Sequence, residues 1–134
     1  MTDLYVQAER LGHTVYYYPF RRTACVAVAG PEGCYIGIDP RQLRSRADER
    51  VKLAHELGHC ETGAVYGRDC ENRSRQEERA NRWAIERLLP LSQIRKAVRL
   101  GDRTVSELAE RFCVTEEFVE EALRYYRDAR GLTL

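Results

Sequence analysis

The stretch His55-Glu56-Leu57-Gly58-His59 constrains the fold of this chain more than any other part of it. Its H-E-x-x-H spacing has chemical meaning only on a helix. There, residues four apart lie on one face, about 6 Å apart along the axis, so two imidazoles can take one metal ion from the same side. The glutamate between them is offset around the helix, where it reaches a water rather than the metal. That is the wiring of a zinc hydrolase, two ligands and a general base. A fold for this chain must therefore make this segment helical and bring a further ligand to it.

The 134 residues suit one domain of ordinary size. A chain of this length buries roughly two thirds of its unfolded surface and needs no staples. A hydrophobic share of 43% and a charged share of 32% fit a globular protein. With 22 basic and 21 acidic residues there is no global pull toward nucleic acid or an anionic membrane. Met1 to Glu9 has no signal-peptide pattern, and the longest apolar run, Ala24 to Ala29, is too short for a bilayer. No lipidation box closes the chain. These features predict a cytoplasmic protein. The five cysteines, Cys25, Cys34, Cys60, Cys70 and Cys113, are odd in number and lack C-x-x-C spacing, which predicts reduced thiols rather than a disulfide framework or zinc knuckle. Cys60 follows His59 but points about 100° away around the helix, so it is not read as a ligand.

Periodicity divides the chain in two. Asp3 to Leu11 reads as a short helix stopped by Gly12. Val15 to Tyr18, Ala24 to Ala29 and Cys34 to Ile38 read as strands, the last two joined as a hairpin by Gly30-Pro31-Glu32-Gly33. From Ser45 the pattern is helical. Asp48 is placed to cap the helix of the motif, and Gly63 to Arg73 reads as a polar loop. Further helices are expected from about Arg75 to Leu89, Ser92 to Leu100, from the capping box at Thr104, and from Thr115. The fold class is α+β, a small N-terminal sheet followed by helices, in one domain over 1–134: sheet and metal helices to about 90, C-terminal helices from about 91.

Catalytic zinc takes three protein ligands and keeps one position open. The third histidine, His13, precedes the first strand and has no helical partner. The next helix offers Glu77 and Glu78. Glu77 shares a face with Ala80, Asn81 and Ala84, small or polar residues that let two helices approach closely; the face of Glu78 is more mixed. Spacing favours Glu77 and leaves Glu78 as the alternative, and either could instead be a solvated charge paired with an arginine. Tyr66 is a candidate oxyanion donor, with a packing role as its plainer reading.

Leu53-Ala54-His55-Glu56-Leu57-Gly58-His59, then Glu77-x-x-Ala80-Asn81-x-Trp83-Ala84, then Leu88-Leu89-Pro90, resembles the ImmA/IrrE family of metallopeptidases. Trp83 stands where that pattern usually has phenylalanine. The resemblance covers about 36–90 and implies a zincin-like fold with a Zn2+ site between two helices. It implies His55, His59 and Glu77 as ligands and Glu56 as general base. It also implies a zinc-dependent endopeptidase that cuts a helix-turn-helix repressor and so relieves repression of a prophage or mobile element. In zincins a strand placed like Tyr35 to Ile38 is an edge that pairs with the substrate backbone. Free amides along it would support that role here, and pairing on both edges would remove it.

Two other readings compete. The protein could be a non-proteolytic anti-repressor that binds the repressor, its zinc structural. Thr104 to Leu123 also resembles a helix-turn-helix with Cys113 at the turn, which would make a DNA-binding module of 104–123. Against DNA contact, its second helix begins with Glu116 and Glu117 and continues with Glu120 and Glu121, four carboxylates where phosphates would approach. The plainer reading is a helical pair packed on the domain or docking a protein partner. Oligomeric state is not written in the sequence.

Overall fold

In the computed structural model, residues 3–63 and 70–130 are described. They form α1 (Leu4–Arg10), strands β1 (Thr14–Tyr17), β2 (Cys25–Gly30) and β3 (Gly33–Ile38), then α2 (Arg46–Thr62), α3 (Cys70–Leu88), α4 (Leu91–Arg99), α5 (Val105–Phe112) and α6 (Glu116–Arg130). The class is α+β. The helix expected from about Arg75 begins five residues earlier, at Cys70, and 64–69, with Tyr66, lies outside the described residues.

The sheet order is β1-β3-β2. β2 and β3 form the expected antiparallel hairpin, with Gly30 opposite Gly33. β1 lies parallel to β3 on its other side, Thr14 opposite Tyr35 and Tyr17 opposite Ile38. β3 is thus the central strand, paired on both edges, and the reading of Tyr35 to Ile38 as a substrate-pairing edge is overturned. The edge strand against α2 is β2. Alternation along β3 shows why the sheet needs a helix on one side. Cys34, Ile36 and Ile38 are buried on one face, while Tyr35 on the other is exposed.

The face of Ile36 and Ile38 packs with Leu53, Ala54 and Leu57 of α2. Those residues recur at helical spacing and give α2 one apolar stripe. α2 starts at a Ser45 N-cap rather than at Asp48: Ser45 Oγ accepts from the Asp48 amide at 3.0 Å, and Asp48 Oδ2 accepts from the Arg44 amide at 3.0 Å. The aspartate in the third helical position thus reaches back past the cap to the amide before it, a variant of the capping box. α4, α5 and α6 bury Ile94, Ala97, Leu108, Val119 and Ala122 in the same hydrophobic cluster as the sheet side. Tyr126 fixes α6 to the end of α3, its buried hydroxyl donating to the Leu89 carbonyl at 2.7 Å. Among the described residues no helix is long and apolar enough to cross a membrane.

Candidate active site

The site forms where α2 crosses α3. Gly58 makes the crossing close: a Cβ there would stand 2.5 Å from the Ala80 carbonyl oxygen and 3.0 Å from its Cα. Ala80 and Ala84 on the facing side are fully buried. The small-residue face read from the sequence is the contact face.

Across this contact Glu77 meets both histidines. Its Oε2 lies 2.8 Å from His55 Nε2 and its Oε1 2.9 Å from His59 Nε2. The two Nε2 atoms are 3.0 Å apart. Three side chains from two helices thus point at one spot. Glu78 turns away and pairs with Arg82 at 2.5 Å. His59 is buried, whereas Glu77 is half exposed, so the spot is reached from the α3 side. His55 Nδ1 sits 2.7 Å from Asn81 Oδ1. An amide oxygen only accepts, so Nδ1 carries the proton and Nε2 keeps its lone pair toward the shared spot. Asn81 was visible in the sequence only as a member of the Glu77 face; its orienting contact was not anticipated.

Glu56 follows His55 by one residue, about 100° around α2, and its carboxyl feels the charges of both His55 and Glu77. Burial is the main reason its carboxyl is pushed up to about 7; Glu77 adds to the shift, while His55 and a hydrogen bond from the Ala27 amide oppose it. The carboxyl therefore holds or releases a proton near neutrality, as a general acid–base group must. Beside it lies a cavity of about 310 Å³. Val51 and His55 of α2, Ala24 and Cys25 at the start of β2, and Phe118 and Glu121 of α6 are among its walls. Burial pushes the Cys25 thiol up to about 12, and its sulfur is not among the donor atoms gathered around His55 and His59. The part taken by α6 carried no local sequence signal.

The cysteines depart from expectation. Cys34 of β3 and Cys60 of α2 form a disulfide, with a Cα–Cα distance of 5.9 Å. Their side chains face each other because the sheet packs on the last turns of α2, a tertiary fact that counting cysteines does not reveal. Cys25 and Cys113 are free thiols. His13 lies beside the bridge, and with Cys34 and Cys60 it forms a second set of closely spaced donor atoms. That set is closed to a metal. Its sulfurs are bonded to each other, and His13 is committed, Nδ1 accepting from the Cys34 amide at 2.9 Å and Nε2 facing Glu61 at 3.3 Å.

Among known sequences, the model of one protein family, described as the IrrE N-terminal-like domain (Peptidase_M78), matches residues 8–124. No curated protein matches the chain.

Proposed function

The chain belongs to the Peptidase_M78 family, and from that premise we propose that it is a zinc-dependent endopeptidase, zincin-like in fold, acting on a helix-turn-helix repressor. The observation that carries the proposal is the convergence of His55, His59 and Glu77 on one point. Two imidazoles and one carboxylate are a donor set that catalytic zinc takes. Tetrahedral zinc with bonds of about 2.0–2.1 Å asks for donor atoms about 3.3 Å apart. The two imidazole Nε2 atoms are 3.0 Å apart, one Glu77 oxygen is 2.8 Å from His55 and the other 2.9 Å from His59, spacings close to that value.

When bound, zinc would polarise the scissile carbonyl and lower the pKa of a water at the site. The chain's own groups do the rest. Glu56 takes a proton from the attacking water and returns it to the leaving amine. Asn81 keeps His55 in the tautomer that faces the metal position. β2, the edge strand against α2, is where an extended substrate backbone would pair. The repressor substrate, and with it relief of repression in a prophage or mobile element, follows from the family resemblance.

The test is Glu56→Gln. The variant is expected to bind zinc like the wild type while hydrolysis of the repressor encoded beside the gene drops by about 10²–10⁴-fold, read by mass spectrometry of the products. A variant that still relieves repression fully would defeat the proteolytic reading and leave binding alone as the activity.

A further inference from the structure

We propose that the cavity beside Glu56 is a specificity pocket for a cationic side chain, an arginine or lysine next to the scissile bond, with Glu121 of α6 as the selecting residue. This deepens the peptidase reading and rests on it. The cavity adjoins both His55 and Glu56, so a side chain seated there belongs to a residue at the point of cleavage. About 310 Å³ is room for one side chain rather than a larger group.

The chemistry of the walls selects among side chains. Ala24, Val51 and Phe118 offer apolar surface, which suits the aliphatic stem of a long side chain. Lys52 is the only lysine or arginine among the lining residues, and its ammonium is turned to Asp48 at 3.0 Å. Glu121 has no ion-pair or hydrogen-bond partner among the described residues. Apolar surface beside an exposed rim carboxylate that has no partner among the described residues fits a guanidinium or ammonium head, and the planar guanidinium can take both oxygens at once.

Glu121 also stands where this cavity meets a second one of about 700 Å³, lined by Glu77, Asn81 and Arg124 among others. Asn81 and Glu121 line both. Glu121 therefore borders both cavities beside the residues of the candidate site. Basic segments are what a DNA-binding substrate has to offer.

Nα-acetylarginine amide and Nα-acetylcitrulline amide have nearly the same shape and differ by one charge. Each is titrated into the zinc-loaded full chain while the amide signals of Ala24 and Phe118 are followed by NMR. The arginine probe is expected to bind about tenfold tighter, as a charge-assisted contact implies. Glu121→Gln is expected to erase that difference; Glu120→Gln, an equally exposed carboxylate of α6 that does not line the cavity, is expected to keep it. Equal affinity of the two probes for the wild type, or a preference that survives Glu121→Gln in a variant with an unchanged melting curve, overturns the pocket. This readout needs no hydrolysis, so it fails separately from the peptidase reading, whose failure shows in the Glu56→Gln experiment.

Discussion

At the scale of single residues, Gly58 is the position on which the proposed metal site leans most. It lies one residue before His59, and its missing side chain lets the α3 backbone at Ala80 come within contact of α2. Ala80 in turn is three residues, less than one helical turn, after Glu77. A methyl group at position 58 has only backbone to push against, so Gly58→Ala must move α3 as a body and carry Glu77 away from His55 and His59. Overpacking of this kind costs about 1–3 kcal/mol. Zinc affinity, measured by competition with a chelating dye, is expected to fall at least about tenfold; an unchanged affinity would show that this contact does not set the spacing of the ligands. The same assay separates the two candidate carboxylates. Glu77→Ala is expected to lose the metal, and Glu78→Ala, whose parent side chain pairs with Arg82, to keep it. Metal kept in the first and lost in the second would reverse the assignment.

Elements differed in how far the sequence could announce them. Helix starts that rest on one side chain were plainer: Thr104 caps α5 as read, and Asp3, read as the first residue of the first helix, is its cap. α2 misled because both Ser45 and Asp48 suit a cap, and the choice depends on which one reaches back to a free amide. Donors on one helix were legible because their spacing is local, and so was the small face around Glu77. Strand order was not. Periodicity tells that β1, β2 and β3 are strands but not which lies in the middle, since pairing is settled by packing on α2. The same packing joins Cys34 to Cys60 across 26 positions. A bridge closing a loop of that size is expected to contribute about 3 kcal/mol, mainly by restricting the unfolded chain. Reductant should therefore lower the urea midpoint of the wild type and leave Cys34→Ser, already lower, unmoved. Equal wild-type midpoints with and without reductant would show that the sheet and α2 are held together without the bond.

In the molecule as a whole, near-balanced charge hides two carboxylates that are buried among the described residues, one on either side of the turn that leads from the sheet to α2. Asp39, 1% exposed, accepts from the amides of Phe20 and Arg41 and from the side chains of Arg41 and Gln42. Those bonds, the Arg41 guanidinium first, hold its carboxyl far below the usual range. Burial alone would raise the carboxyl of Asp48, 3% exposed, but the Arg44 amide and the Lys52 ammonium outweigh it, and the net shift is downward. A depressed folded value means that the unfolded chain binds a proton first as pH falls. The stability from these two groups is therefore complete at neutral pH, begins to fall below the ordinary aspartate value of about 3.9, and is gone only below their folded values. Wild-type urea midpoints should rise from pH 7 to about 5, because the raised Glu56 carboxyl binds its proton first in the folded chain, and decline toward pH 4 and below, where the unfolded chain protonates these two aspartates first. Asp39→Asn should start lower at pH 7, and its gap to the wild type should narrow steadily below about pH 4, because acid removes from the wild type what the substitution has already removed. A gap of constant size down to pH 3 would mean that the shape of the side chain at position 39, rather than its charge, joins the sheet to the helix that carries the metal ligands.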